Sequence, residues 1–349
     1  MESGTCEKYE TNDEKGGKSM NYSIDFVVPW VDDTDPVWRK KKEEHTGIVM
    51  TEGNSDVRYR DWDTLKYWFR GVEKFAPWVR YVYFVTDDQK PEWLNVDHPK
   101  LRWVKHTDFI PHEYLPTFSC QGIEWNLHRL PEISENFVFF NDDVFLIRDT
   151  KPEDFFVNGQ PCDLPRLGVL YPDGFFTHIL FNNVEVANQH FSLKQSIKAN
   201  PMKWIQGQSL AGLLKLMIYG RRDQIPNSIS PHIQLSFKKS TYEKLWEVEF
   251  DRIHATCSSP LRTKEVITSY CVRDWQLFSG EFYPKRPIGK SFHTASMSHS
   301  NEAIEYLRKR KGKVICLNDS EDEQDFELHK QMILDEFEKI LPEKSSFEL

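Results

Sequence analysis

Short apolar runs alternate with helical patterns along the first 150 residues of the chain. Four of these runs have the length and composition of buried strands, at residues 24–31, 81–85, 101–104 and 137–140. Between them, apolar residues at helical spacing predict one helix over 61–75, capped by Asp61 or Asp63, and a shorter one over 122–130. Strands that alternate with helices are typical of an α/β domain with a mostly parallel sheet covered on both faces.

The pattern changes after residue 150. Residues 150–235 combine short strand-like pieces with turns rich in Pro, Gly and Asn. Helices are predicted at 209–218, 241–250, 263–278, 302–310 and 325–341. No flexible linker separates the two halves. We therefore predict a polar arm at 1–20, an α/β core at 21–150, and a mainly helical part at 151–349 that packs on the core and completes the site.

Composition excludes several classes of protein. Hydrophobic residues make up 39% of the 349 residues, which is enough for a substantial core, and the net charge of −9 argues against a nucleic-acid partner. The longest apolar stretch, around 210–219, is far shorter than the ~20 residues of a membrane-spanning helix. The first twenty residues lack the apolar segment of a signal peptide. Six scattered cysteines without a C-x-x-C pair fit a reducing cytoplasm better than a disulfide framework.

Acidic residues cluster around the predicted strands. They are Asp25, Asp32, Asp33 and Asp35 around the first strand, Asp87 and Asp88 after the second, and Asp142 and Asp143 after the fourth. Ligands of open α/β sheets bind beyond the carboxyl ends of strands, where carboxylates are tolerated when they share a divalent cation. A turn or a cap is the simpler interpretation for any single Asp. For 141–143, directly after the apolar run FVFF, ligand binding is the better one.

Other polar residues are less informative by themselves. Glu124 and His128 lie four residues apart on the predicted short helix, as a metal-ligating or acid–base pair or as a surface ion pair. His232 and Arg262 indicate nothing in isolation. The basic run at 39–42 predicts a solvated helix face, with contact to an anionic membrane as the alternative. Neither a glycine-rich phosphate loop nor a G-x-S-x-G motif occurs.

Taken together, several long segments resemble the Stealth family of phosphotransferases. They read IDFVVPWVDDTDP, RYRDWDTLKYWFRGVEKFAPWVRYVYFVTDDQKPEWLN and PTFSCQGIEWNLHRLPEISENFVFFNDDVFL. Weaker matches at SPHIQLSF to LRTKE and at VICLNDSED extend the resemblance over most of residues 24–321. The chain departs from the family pattern at Pro29, at Asp33 and at 119–122. The resemblance implies a Rossmann-like, mostly parallel sheet similar to a nucleotide-sugar transferase core of the GT-A type.

The resemblance also implies roles for individual residues. The essential groups correspond to Glu124, Asp143, His232 and Arg262. Substrate contacts correspond to Asp32, Asp35, Arg58, Asp61 and Asp319. A divalent cation, Mg²⁺ or Mn²⁺, is expected on Asp143 with help from Asp142 or Asp32. Either His232 or Glu124 is expected to be the base that accepts the proton of the acceptor hydroxyl.

The implied reaction moves a sugar 1-phosphate from a UDP-sugar, such as UDP-GlcNAc or another UDP-hexose, to a glycan or a lipid-linked oligosaccharide. UMP leaves and a phosphodiester forms, as in capsular or exopolysaccharide synthesis. Two alternatives remain: a metal-dependent glycosyltransferase that releases UDP, and a glycan-binding relative without activity. The expected location is the cytoplasm, with peripheral contact to the inner face of a bacterial plasma membrane.

Overall fold

A computed structural model describes residues 22–47, 61–171, 173–293, 297–319 and 326–349. The strands within these ranges are β1 (Ile24–Pro29), β2 (Val82–Thr86), β3 (Leu101–Lys105), β4 (Asn136–Phe139), β5 (Val144–Leu146), β6 (Phe156–Val157), β7 (Gln160–Asp163), β8 (Leu235–Lys238), β9 (Tyr283–Pro284), β10 (Gly289–His293) and β11 (Val314–Asn318). The helices are α1 (Pro36–Thr46), α2 (Leu65–Phe75), α3 (His106–Phe109), α4 (Cys120–Glu124), α5 (Phe175–His190), α6 (Leu193–Ala199), α7 (Pro201–Ile205), α8 (Leu210–Tyr219), α9 (Lys239–Val248), α10 (Phe250–Ser258), α11 (Tyr270–Ser279), α12 (Met297–Lys309) and α13 (Phe326–Ile340).

The central sheet has the strand order β3-β2-β1-β4-β8. Strands β3, β2, β1 and β4 are parallel, and β8 pairs with β4 in the antiparallel direction. All four predicted strands lie in this sheet, so the α/β class with a mainly parallel sheet is confirmed. The fifth strand comes from the second half of the chain, which therefore contributes to the sheet as well as to the helices that cover it.

Strand β1 shows why the sheet is buried on both faces. Phe26 and Val28 point into a core formed with α2, α12 and α13, whereas Val27 points into a second core formed with α9, α10 and α11. All three side chains are fully buried. Burial of each such side chain stabilises the fold by about 1.5–3 kcal/mol. A strand covered on both sides needs a continuous apolar run, as the sequence of β1 has.

A second sheet fixes the turn that follows β4. Strand β5 begins directly after residues 141–143 and pairs with β11, which pairs in turn with β10. The N–H of Leu317 on β11 donates to the carbonyl of Asp143 at 2.9 Å. The backbone of the acidic turn is therefore held between the central sheet and this smaller one.

Several helices differ in extent from the prediction or were not predicted, and three of them bear on the site. The helix expected over 263–278 begins only at Tyr270, and the one expected over 122–130 is α4 followed by a separate 3-10 turn, Leu127–Arg129. Helix α5 was not predicted, because its aromatic, β-branched and Asn residues have low helix propensity. Tertiary contacts support it instead: Asn183 Nδ2 donates to Thr268 Oγ1 at 2.8 Å, and the N–H of Thr268 donates back to Asn183 Oδ1 at 3.0 Å.

Some of the acids around the predicted strands have structural partners rather than a place in a common site. Asp25 lies at the amino end of β1, fully buried, and accepts from Arg80 Nε at 2.8 Å and from the N–H of Ser134 at 2.8 Å. Asp87 and Asp88 follow β2 and pair with Lys41 and Lys105 at 2.7 and 2.5 Å. These carboxylates fix loops and strand ends.

We expect Asp25→Asn to lower the free energy of unfolding by about 2–4 kcal/mol, because the variant deprives the Arg80 guanidinium of its buried counter-charge. The matched control is Asp88→Asn, which removes an exposed pair with Lys105 and is expected to cost less than about 1 kcal/mol. Urea unfolding followed by tryptophan fluorescence measures both. Equal losses in the two variants would contradict the structural role of Asp25.

Candidate active site

A cleft of about 560 Å³ opens at the carboxyl ends of β1 and β4. The chain leaves β1 toward β2 on one side of the sheet and later returns to β4 on the other, so the cleft lies at the switch point where α/β sheets bind ligands. Its polar lining includes Asp61, Glu124, Asp142, Asp143, His232, Arg262, Ser269, Tyr270, His293 and Asp319.

The four residues implied to be essential all line this one cleft. Glu124 ends α4, Asp143 follows β4, and His232 and Arg262 lie on loops before β8 and after α10. They come from four distant positions in the chain, and the central sheet with its covering helices brings them together. Asp61, Asp142 and Asp319 line the same cleft.

Asp32 and Asp35 are not among the described residues that line the cleft. Asp32 Oδ1 accepts from the N–H and the hydroxyl of Thr34 at 2.8 and 2.6 Å, which forms a turn after β1. Asp35 caps α1 by accepting from the N–H of Val37 at 2.8 Å. Gln89 joins the two by donating to the Asp32 carbonyl and to the Asp35 carboxylate. Arg58 lies outside the described residues.

The carboxylate of Asp143 has an unsatisfied acceptor in the interior of the cleft. Its Oδ1 is buried without a hydrogen-bond partner among the described residues, and its Oδ2 accepts from the thiol of Cys316 at 3.4 Å. Burial raises the pKa of this carboxyl, and nearby His232 lowers it in part. Buried carboxylate oxygens normally have a donor or a metal ion as partner. The residues present therefore fit a bound cation.

Asp142 adds a second carboxylate beside Asp143. Desolvation in the cleft, followed by repulsion from Asp143 and Asp61, raises the pKa of Asp142 to about 7. Because the side chain of Asp142 is exposed to the solvent of the cleft, its desolvation is incomplete. Repulsion from Asp143 and Asp61 is therefore the cause of the raised pKa that we emphasise. A divalent cation among these oxygens would relieve the repulsion.

Cys316 is a candidate ligand that the sequence did not indicate. Ligand atoms of Asp143, His232 and Cys316 lie within 4.8 Å of one another. Carboxylates favour hard cations such as Mg²⁺, whereas a thiol and an imidazole favour softer ones. The cleft as a whole is suited to a divalent cation. Cys316 was overlooked because it lies in the apolar run of β11, where it has the pattern of a core residue.

Glu124 is buried at the back of the cleft. Ser269 donates its hydroxyl proton to Glu124 Oε2 at 2.5 Å. Burial raises the pKa of Glu124, while Ser269 and Arg262 lower it. The predicted pairing with His128 is wrong, because α4 ends at Glu124 and His128 stacks on Tyr242 instead. Burial there lowers the pKa of His128 to about 3.

Arg262 is held by the segment in which this chain departs from the family pattern. Its Nε donates to Gln121 Oε1 at 3.1 Å, and its Nη2 donates to Cys120 Sγ at 2.7 Å. The next residue, Gly122, permits close packing, since a Cβ there would lie 2.9 Å from Thr117 Oγ1. The guanidinium is thereby oriented at the cleft wall, close to Glu124.

His232 has an unusual backbone and a defined side-chain partner. Its φ of 48° is in the left-handed region, which is uncommon outside glycine and frequent at functional sites. Its Nδ1 lies 2.8 Å from the hydroxyl of Tyr270, whose pKa is raised by burial. In the tautomer whose Nδ1–H donates to this phenol oxygen, Nε2 carries the free lone pair and can accept a proton. Neither the strained turn nor Tyr270 was predicted.

Two further contacts in the cleft join segments that lie far apart in the sequence. Trp62 Nε1 donates to Asp319 Oδ2 at 3.1 Å, which links the RDWD and LND segments. His293, at the end of β10, lies opposite Asn318 of β11, and the two side chains are 3.1 Å apart. The histidines of SFHTASMSHS in the sequence were the available indication for His293, but no strand was predicted there.

The chain is similar to known proteins over most of its length. Residues 22–46, 58–163 and 305–349 match the models of Stealth protein conserved regions 1, 2 and 4. A capsular polysaccharide phosphotransferase of Streptococcus pneumoniae, WcwK, is 40% identical over 93% of this chain and 98% of its own. The receptor polysaccharide phosphotransferase WefC of Streptococcus gordonii is 38% identical over 95% and 100%.

A solved structure of a bifunctional glycosyltransferase, WbbM, is also similar. It is 9% identical with a TM-score of 0.38, and the match covers 94% of this chain and 51% of WbbM. So weak a similarity supports no argument about either protein.

We expect Asp142→Asn to stabilise the metal-free protein by about 1 kcal/mol at about pH 8. In the wild type the folded state raises the pKa of Asp142 from 3.8 to about 7. The free energy of unfolding of the wild type therefore falls as the pH rises across that interval, and it stays low at higher pH. The variant avoids this loss because its amide does not ionise. The gain should vanish near pH 4. Added Mg²⁺ should reverse the order, since only the wild type keeps both carboxylates.

Thermal unfolding at several pH values, with EDTA or Mg²⁺, measures this effect. Asp149→Asn, an exposed carboxylate outside the cleft, is the control and should show no such pH dependence. A variant less stable than the wild type at pH 8 without metal would refute the repulsion.

Proposed function

Because the chain belongs to the Stealth family of phosphotransferases, we propose that it transfers a sugar 1-phosphate from a UDP-sugar to a hydroxyl of a glycan. The donor is UDP-GlcNAc or another UDP-hexose, and UMP leaves. The convergence of Glu124, Asp143, His232 and Arg262 in one cleft is the observation that supports this proposal. The acceptor is a growing capsular or exopolysaccharide chain, free or lipid-linked, at the inner face of a bacterial plasma membrane.

The reaction makes one bond and breaks one. The acceptor oxygen attacks the phosphorus atom that bears the sugar, and the bond from this phosphorus to the oxygen of UMP breaks. The acceptor loses a proton, and UMP leaves with the electron pair of the broken bond. Catalysis of this kind requires in-line positioning and positive charge around the phosphate oxygens more than covalent chemistry.

His232 is the group we propose as the base. It faces the cleft, its Nδ1 is hydrogen-bonded to Tyr270, and an imidazole is the side chain that most often accepts a proton in general base catalysis. Glu124, the other candidate, is buried and already accepts from Ser269. We propose that Glu124 instead orients Arg262, whose planar guanidinium is suited to bidentate contact with a phosphate.

The acidic residues that the family resemblance singled out divide into two groups in this proposal. Asp142 and Asp143 would hold a Mg²⁺ or Mn²⁺ ion, with Asp319 and Asp61 nearby, and that ion would neutralise the diphosphate. Asp32 and Asp35 shape the loop after β1, because Asp32 Oδ1 is already satisfied by Thr34 and Asp35 caps α1. For Asp32 this role replaces the expected metal contact.

The leaving group tests the proposed reaction. The protein is incubated with a panel of nucleotide sugars, Mg²⁺ or Mn²⁺ and glycan acceptors, and the products are followed by phosphorus NMR and by chromatography of the nucleotides. We expect UMP together with a phosphodiester resonance, because the P–O bond is the one that breaks. UDP together with a glycoside would identify a glycosyltransferase instead. Absence of turnover across the panel would favour a glycan-binding protein without activity.

We expect His232→Ala to lower kcat by about 10²–10⁴-fold, the range for loss of an acid–base group. Tyr270→Phe should lower kcat by about 10-fold to 100-fold with little change in KM for the donor, because it removes the partner that orients the imidazole. Steady-state kinetics over a range of pH values measure both. The control is Tyr171→Phe, an exposed tyrosine. Activity of His232→Ala equal to that of the wild type would remove His232 from the mechanism.

A further inference from the structure

Two consecutive short helices, α7 and α8, expose an unusual number of large apolar side chains. Leu210, Met202 and Met217 are 87%, 68% and 66% exposed. Leu214, Ile218 and Ile205 on the same helices are also about half exposed. Monomeric proteins rarely gather so many apolar side chains on one surface without a binding function.

The buried side of these helices explains why they are stable. It does not explain why their other side exposes apolar residues to solvent. Leu216 and Tyr219 of α8, together with Ile197 of α6, pack against a small core around Trp204 and Phe278. Ser209 caps α8 by accepting from the N–H of Gly212 at 3.1 Å. The helix is therefore formed and anchored by one face, and the opposite face lies in solvent.

The charge of this region is opposite to that of the whole protein. Residues 186–222 contain no Asp or Glu, although the chain has a net charge of −9. The exposed basic residues of this stretch are Lys194, Lys198, Lys215, Arg221 and Arg222. None of these five forms an ion pair with another described residue. The first acid beyond them, Asp223, accepts from Ser192 Oγ at 2.7 Å.

The basic and apolar side chains belong to one continuous segment of the chain. The N–H of Lys194 at the start of α6 donates to the carbonyl of Arg222 just after α8, at 3.1 Å. Residues at the two ends of the segment are therefore neighbours. We name residues 193–222 the basic-apolar surface.

We propose that the basic-apolar surface docks on an anionic lipid bilayer. Leucine, methionine and isoleucine side chains would enter the headgroup region, while the lysines and arginines meet lipid phosphates. A net charge of −9 disfavours contact with such a membrane, so a segment without acids is the favourable point of contact and also sets the orientation. A symmetric pairing of two copies through this surface would place like charges opposite each other.

Helix α5 connects this surface with the cleft. Phe176 near its start lines the cleft, and Ala187 near its end belongs to the small core under α6 and α8. A helix of 16 residues is about 24 Å long at 1.5 Å per residue. An acceptor anchored in the bilayer would thus lie about one length of α5 from the cleft. Membrane binding needs no turnover, so it is tested independently of the proposed reaction.

Co-sedimentation with vesicles tests the docking surface. We expect the protein to bind vesicles of equal parts phosphatidylglycerol and phosphatidylcholine but not phosphatidylcholine alone, and to dissociate at high salt. The double variants Leu214→Gln/Met217→Gln and Lys215→Glu/Arg221→Glu should each reduce the bound fraction about 10-fold or more. The changed side chains are exposed, and circular dichroism and thermal unfolding check that the fold is kept.

Matched controls distinguish this surface from others. Leu328→Gln on α13 removes another half-exposed leucine, and Lys40→Glu on α1 reverses a charge in the basic run at 39–42. Both should bind like the wild type. Loss of binding in Lys40→Glu, or normal binding in both double variants, would overturn the proposal. So would equal binding to both kinds of vesicle, or a concentration-dependent dimer in light scattering that Leu214→Gln/Met217→Gln abolishes.

Discussion

Repulsion between carboxylates at one end of the central sheet is the constraint on which the site depends. Asp142 and Asp143 occupy the turn after β4, and Asp143 Oδ1 is buried without a partner among the described residues. Such an arrangement costs free energy, because burial and the repulsion of neighbouring carboxylates raise the pKa of both carboxyl groups. Two sheets hold it in place, one ending at β4 and one through the contact of β11 with the Asp143 carbonyl. The packing of the rest of the molecule offsets this cost, and a cation would remove it.

The central sheet was predictable because burial on both faces demands continuous apolar runs, and such runs are visible in a single sequence. Helix α5 was not, because its intrinsic propensity is low and the bonds between Asn183 and Thr268 that support it join residues far apart in the chain. The early residues of the 263–278 pattern have helical spacing, but they form an irregular wall of the cleft. The spacing of apolar residues along the sequence does not show that a segment forms the wall of a binding cleft.

The site was predictable to a different degree for each residue. A strand followed by acids indicated Asp142 and Asp143 directly, whereas His232 and Arg262 could be singled out only through the family resemblance. Cys316 and Tyr270 have no polar motif around them, since one lies in a buried strand and the other begins a helix. Their contacts with Asp143 and His232 exist only in three dimensions. Cys120 and Gln121 accept hydrogen bonds from Arg262 and thereby orient its guanidinium.

The same electrostatic problem arises twice in this molecule. The proposed diphosphate donor is anionic and the cleft is acidic, so its binding would require a cation together with the fixed guanidinium of Arg262. The proposed membrane partner is anionic and the protein has a charge of −9, so contact would require a surface without acids. In both places a local positive charge would let an acidic protein bind an anionic partner. Because α5 reaches from one place to the other, a substrate held at the membrane would lie close to a donor held in the cleft.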